Sequence, residues 1–288
     1  MQPTVGWIGL GRMGAPMAAR LLAAGYRVHV WARRPATLAA VLAAGARRAD
    51  TPEALARACD VVATIVGDSS DVAELHARML PQSRPGAVFL EMTTAAPATA
   101  LRSGELAARH GAAVLDGPVS GGVAGAQQGR LAQFVGGERA ALERCRPLLE
   151  VLSRDIVHCG GGGAGYRMKL VNQTMIAGTL LGLAEGARLA RAAGFDAALV
   201  AQALGRGTAS GLLFDSYVQR MLEPGGGITF TLGLLRKDLR LARAEALAVG
   251  AGTRLHDTLL DALDEACRHH GEHQGVQWLA AARDAPSP

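Results

Sequence analysis

Apolar positions in the first 160 residues fall into short buried-strand runs separated by helical stretches. TVGWIG (4–9) reads as a buried strand, and the stretch MGAPMAARLLAAG that follows reads as a helix closing on Gly25. RVHVWA ends a second strand near Ala32, and PATLAAVLAAG (35–45) has helical spacing with a glycine stop. VVATIV (61–66), AVFLEM (87–92) and AAVLDGP (112–118) predict further strands, with helices at 70–80 and 97–110 between them. Segments 131–136 and 155–159 predict the last strands, around a helix at 138–152. Strands alternating with helices predict an α/β fold whose mostly parallel sheet is covered on both faces.

The pattern changes after GGGGAG (160–165). Residues 168–194 are apolar nearly all round, which predicts a long buried helix. Further helices are expected at 197–205, 210–222, 232–250 and 254–270, with no convincing strand among them. Two domains follow: a doubly wound parallel sheet over 1–161 and an all-helical domain over 162–288, joined by the long helix.

Composition narrows the class. Hydrophobic residues make up 49% and charged residues 19%, enough apolar surface for a packed core. No apolar run approaches the roughly 20 residues that span a bilayer, and the first residues lack a signal-peptide pattern, so a cytoplasmic protein is expected. Net charge is +5, but the arginines are spread along the chain and aromatics reach only 4%, so neither nucleic acid nor membrane is an expected partner. Four scattered cysteines at no zinc-ligand spacing predict free thiols and no metal site.

Within 30 basic residues only Lys169 and Lys237 are lysines, and Asn172 is the sole asparagine. An ammonium group can be tuned to exchange a proton, whereas guanidinium stays charged, so these neighbourhoods stand out. Lys169, Asn172 and Gln173 fall on one helix face at i, i+3 and i+4. A lysine and amides on an otherwise apolar helix are costly unless paired or functional. Lys237 and Asp238 are equally compatible with a solvated helix face.

Gly9, Gly11 and Gly14 form GxGxxG between a strand and a helix, the context that makes it a dinucleotide-binding turn. Arg33 and Arg34 stand where NAD enzymes usually carry a carboxylate, which favours NADP over NAD, with Arg33 the phosphate ligand. The glycine-rich segment 116–131 follows a strand end, where open α/β sheets bind ligands. Ser120, Gly121 and Gly122 supply a hydroxyl and backbone N–H groups suited to a small carboxylate, unless they form only a conformational turn.

GLGRMGAPMA (9–18), EMTTAAP (91–97), DGPVSGG (116–122), GAGYRMKLVNQ (163–173) and FTLGLLRKDLRLA (230–242) together resemble the β-hydroxyacid dehydrogenase family over nearly the whole chain. The family includes 3-hydroxyisobutyrate dehydrogenases and tartronate semialdehyde (2-hydroxy-3-oxopropionate) reductases; the KxxNQ form at Lys169 looks more like the latter. The resemblance implies a Rossmann domain, a helical domain, and homodimers or homotetramers. It also implies Lys169 as catalytic acid/base, assisted by Asn172 or Gln173, with Ser120, Gly121 and Gly122 on the substrate carboxylate. Cofactor contacts would come from Gly9, Leu10, Gly11, Arg12, Met13, Gly14, Arg33, Arg34, Val66, Gly67, Thr94 and Lys237. Val66 and Gly67 depart from a usual Leu-Pro pair, Glu91 from an Asp and Gly117 from an Ala.

The activity implied is hydride transfer between NADP(H) and a small 3-hydroxy acid or its semialdehyde. Val123, Ala124, Phe214, Phe230 and Leu234 are the expected pocket side chains. Imine reduction on the same scaffold, or a non-catalytic NADP(H)-binding module, are the alternatives. A neutral imine needs neither Lys169 nor a carboxylate loop, and retention of both lysines weighs against a non-catalytic module.

Overall fold

The computed structural model describes residues 2–223 and 225–281. The chain divides into two compact units, Met1–Lys169 and Leu170–Pro288. Among the described residues the first unit holds nine strands: β1 (Val5–Ile8), β2 (Val28–Trp31), β3 (Arg47–Arg48), β4 (Val61–Thr64), β5 (Val88–Glu91), β6 (Ala113–Asp116), β7 (Val119–Ser120), β8 (Leu131–Gly136) and β9 (Ser153–Gly160). Their order is β3-β2-β1-β4-β5-β6-β8-β7, with β9 also paired to β8. Pairing is parallel from β3 through β6, whereas β8 runs antiparallel to β6 and β7.

Parallel strands need crossovers, and seven helices supply cover: α1 (Gly14–Ala23), α2 (Ala39–Ala43), α3 (Pro52–Ala58), α4 (Ser69–Met79), α5 (Pro97–Arg109), α6 (Gly122–Gln128) and α7 (Arg139–Leu152). β1, β4 and β5 are buried along their whole length, as strands covered on both faces must be. Alternate residues feed two cores: Val5, Trp7, Val61, Ala63 and Leu90 join α1 and α7 residues, while Ile8, Val62 and Phe89 pack with α3, α4 and α5. The strand direction of reading reverses at β1, between β2 and β4, and that switch point is where ligands enter such sheets.

The helix α8 (Ala164–Ala192) runs from this unit into the second, which continues as α9 (Ala197–Leu204), α10 (Leu212–Leu222), α11 (Leu232–Ala248) and α12 (Arg254–His270). Leu180, Met221, Leu232, Leu235, Leu239 and Val276 are fully buried in its own core.

The observed elements differ from the predicted ones in instructive places. α8 starts one turn earlier than the apolar pattern suggests, at Ala164 rather than 168, because Asp116 accepts hydrogen bonds from the Gly163 and Tyr166 amides at 2.8 and 2.9 Å. β3 consists of two exposed arginines, and α3 is a seven-residue helix capped by Thr51; neither carries a periodic apolar signal. The stretch 35–45 begins as a 3-10 turn at Pro35–Leu38 before α2. The segment 116–131, expected as a glycine-rich loop, contains β7 and the short helix α6, which ends on Gly129 in the left-handed region.

Candidate active site

The turn after β1 is shaped by close backbone approach. Gly9 has φ +96°, and a Cβ there would lie 1.9 Å from the Ile65 carbonyl oxygen. A Cβ on Gly14 would lie 1.8 Å from the Gly9 oxygen, so α1 packs directly on the turn. Trp7 donates its indole N–H to that same Gly9 carbonyl at 3.1 Å. Gly11 instead faces open space. α1 begins there with no side-chain cap and no acidic residue in its first turn, so its positive end is presented to an anion. Leu10 is buried, Met13 half-buried and Arg12 exposed beside it. This cradle fits a pyrophosphate.

Arg33 and Arg34 are both exposed just past the end of β2. Arg34 uses its carbonyl to start the 3-10 turn, accepting from the Thr37 amide and hydroxyl. Arg33 is in an ion pair: its Nη2 lies 2.6 Å from Asp71 Oδ1 on α4. Asp71 Oδ2 in turn accepts the Gly67 amide at 3.1 Å. Asp71 was not among the residues singled out from sequence.

The loops after β4 and β5 are tied together from below. Val66 donates its amide to Thr93 Oγ1 at 2.8 Å, and the Thr93 amide donates to Glu91 Oε1 at 2.8 Å. Thr64 Oγ1 donates to the other Glu91 oxygen. Thr94, the expected ribose contact, is half-buried on the same loop. Glu91 is 1% exposed, and His76 Nε2 stands 3.7 Å from its Oε2 while His76 Nδ1 bonds Ser103 Oγ at 2.8 Å. Burial pushes the Glu91 carboxyl up to about 7, against the pull of its Thr64 and Thr93 hydrogen bonds. Burial lowers His76 to about 4, so both groups are neutral in the pH range between.

The third feature leaves the end of β6. Asp116 is fully buried and joins β6 to the first turn of α8. A Cβ on Gly165 would lie 2.2 Å from the Asp116 carbonyl oxygen and 2.4 Å from that of Phe134, so the helix touches the strand ends with no side chain between. Gln133 holds the Gly117 carbonyl at 2.8 Å and is itself oriented by Ser153 at 3.0 Å. Ser120 ends β7 half-buried, and Gly121 and Gly122 follow with φ of +130° and +62°, a conformation side chains avoid. Lys169 lies one turn beyond Tyr166 on α8, at 7% exposure.

In the second unit the polar residues form one chain. Asn172 Nδ2 donates to Gln173 Oε1 at 3.0 Å, and Gln173 Nε2 donates to Asp238 Oδ2 at 2.6 Å. Asp238 Oδ1 lies 3.0 Å from Lys237 Nζ. Asp238 is 4% exposed, so the solvated-face reading is corrected for Asp238, whose buried carboxylate holds the Gln173 amide and the ammonium of the half-buried Lys237. Gln173 is buried and its amide is engaged with both neighbours, the geometry of a residue that positions others. Phe214, an expected pocket side chain, is packed in the helical core at 4% exposure, whereas Leu234 is 47% exposed and Phe230 partly buried.

A glycine cradle at the switch point of a 3-2-1-4-5-6 sheet, followed by an all-helical unit, defines a dinucleotide-binding oxidoreductase architecture. Residues 4–161 match the family of the NAD-binding domain of 6-phosphogluconate dehydrogenase, and residues 163–282 match the NAD-binding domain of NADP-dependent 3-hydroxyisobutyrate dehydrogenase. An NAD-dependent L-serine dehydrogenase of Pseudomonas aeruginosa is 36% identical over 86% of this chain and 87% of its own. A 3-hydroxyisobutyrate dehydrogenase of the same organism is 32% identical over 95% of both. Among solved structures, Mycobacterium tuberculosis 3-hydroxyisobutyrate dehydrogenase with L-serine aligns at TM-score 0.89 and 29% identity over 97% of this chain and 98% of its own. Psf3 in complex with NADP+ and 2-OPP aligns at 0.89 and 29%, over 96% and 99%. The chain belongs to the β-hydroxyacid dehydrogenase family and is an NAD(P)-dependent oxidoreductase.

Proposed function

We propose that this enzyme catalyses reversible hydride transfer between NADP(H) and a small 3-hydroxy acid or its semialdehyde, with Lys169 as general acid and base. The observation carrying the reading is the Asp116 clamp. Asp116 binds the first turn of the helix that bears Lys169, and the same strand end leads into Ser120–Gly122. The reading is supported by one strand terminus that both anchors the start of the Lys169-bearing helix and leads into the Ser120–Gly122 turn.

A bound nicotinamide would supply the hydride for reduction and accept it in oxidation. Gly9, Gly11 and Gly14 with the α1 terminus would hold its pyrophosphate, flanked by Leu10, Arg12 and Met13, and Arg33 with Arg34 would hold a 2′-phosphate. The family resemblance adds Val66, Gly67, Thr94 and Lys237 as further cofactor contacts in this reading. Ser120 Oγ and the amides of Gly121 and Gly122 receive the substrate carboxylate and orient the reacting carbon. In reduction the Lys169 ammonium donates a proton to the carbonyl oxygen; in oxidation the neutral amine removes the hydroxyl proton. Asn172 orients that oxygen, and Gln173 keeps Asn172 and Asp238 in place.

The test is consumption of NADPH and, separately, NADH over tartronate, methylmalonate and succinate semialdehydes, glyoxylate and a cyclic imine, with L-serine and 3-hydroxyisobutyrate in the oxidative direction. Lys169→Ala lowers turnover about 10²–10⁴-fold with cofactor binding retained, and Lys169→Arg fares little better. Near-normal turnover in either variant removes Lys169 from the mechanism. Turnover of the imine alone favours imine reduction, and cofactor binding without turnover favours a sensor.

A further inference from the structure

The two partners of the Arg33–Asp71 ion pair are held very differently. Arg33 is 64% exposed at the side chain, two residues past the end of β2, whereas Asp71 is 24% exposed and bonded at both carboxylate oxygens. Asp71 lies in the first turn of α4, where Asp68 Oδ1 accepts the amides of Ser70 and Asp71 at 2.8 and 3.1 Å. Its own Oδ2 accepts the Gly67 amide, and a Cβ on Gly67 would fall 2.6 Å from that oxygen. The glycine that replaces the expected proline therefore makes room for the carboxylate and supplies its N–H donor. A negative charge at a helix N-terminus is also favoured by the helix dipole. Asp71 is an anchored anion set against the guanidinium that would read a 2′-phosphate.

We propose that Asp71 is a specificity-setting residue that competes with the cofactor's 2′-phosphate for Arg33 and so holds affinities for NADP(H) and NAD(H) close together. The inference rests on the assignment of Arg33 as the phosphate ligand. A 2′-phosphate arriving at Arg33 must share the guanidinium with a carboxylate 2.6 Å away, and it is repelled by that carboxylate. NAD(H) leaves the ion pair intact and meets no repulsion. Arg34, exposed next door, keeps some attraction for phosphate, so the competition attenuates NADP(H) binding without abolishing it.

The experiment is fluorescence titration of NADPH and NADH into the wild type, Asp71→Asn, Arg33→Ala and the double variant, at low and high salt. Asparagine keeps an oxygen for the Gly67 amide but cannot pair with Arg33 as an ion. The wild type binds the two cofactors within about tenfold of each other. Asp71→Asn tightens NADPH by about threefold or more, as expected for an exposed ion pair, and leaves NADH within twofold. The gain shrinks in the Arg33→Ala background and at high salt. Four results overturn the inference: NADPH affinity unchanged by Asp71→Asn, both cofactors tightened equally, the same gain without Arg33, or a wild type that already discriminates a thousandfold. A wild type that binds neither cofactor overturns the functional reading itself, a distinguishable failure.

Discussion

Replacing Glu91 with glutamine should make the protein sensitive to mild acid, although it removes a buried ionisable group. The sign follows from two opposite perturbations. A carboxyl raised from 4.5 to about 7 on folding contributes stability that is present below 4.5 and lost as pH rises through 7. An imidazole lowered from 6.5 to about 4 contributes stability present above 6.5 and lost as pH falls through 4. Between about 4.5 and 6.5 the pair holds one proton whether folded, on Glu91, or unfolded, on His76, so the two slopes cancel. Glutamine removes one slope and exposes the other. A gap of about 2.5 pH units at about 1.4 kcal/mol each gives a loss of about 3 kcal/mol in the variant between pH 6.5 and 4. Urea unfolding of both proteins from pH 4 to 7.5, compared as a difference at each pH, isolates this contribution from acid effects they share. A difference that stays constant with pH refutes the reasoning, whatever its offset. His76→Gln should give the mirror image, losing stability as pH rises from 4.5 to 7.

Three further outcomes are expected. Asp116→Ala strips a buried acceptor from two amides and should cost about 3 kcal/mol or more in denaturant unfolding, with turnover falling in the protein that remains folded. Gly165→Ala places a methyl group 2.2 and 2.4 Å from two backbone oxygens, so loss of soluble folded protein or a drop above about 3 kcal/mol is expected from melting or expression assays. Asp238→Ala leaves the Gln173 amide without its buried acceptor and should destabilise by about 1–3 kcal/mol in urea, whereas an Asp238→Asn variant retains part of that loss.

What could be read along the chain was what depends on near neighbours in sequence. Gly9, Gly11 and Gly14 disclose their turn by spacing within one strand–helix junction, although Gly11 meets no neighbour and the distant Ile65 crowds both Gly9 and Gly14. The apolar runs of β1, β4 and β5 are visible because both faces of each strand are buried. Asp71 was invisible because its partner lies 38 residues away, and nothing in SSDVAEL distinguishes an ordinary first-turn acid from one aimed at Arg33. Glu91 appeared as a mild departure from Asp, yet it is the junction through which Thr64, Thr93 and Val66 are linked, across 27 residues in two of the three hydrogen bonds. The early start of α8 depends on Asp116, 47 residues upstream, and Asp238 looked solvated because its amide partner is 65 residues away. Long-range polar pairing has no periodicity to announce it.

The tether at the end of β6 binds two distant segments of the chain to a common fate. Because Asp116 accepts two amides from the start of α8, the position of the helix that bears Lys169 follows the end of β6, and any change that shifts that strand end carries the helix with it. In a lineage built on this scaffold, the last residues of β6 and the first turn of α8 must therefore vary together or stay as they are.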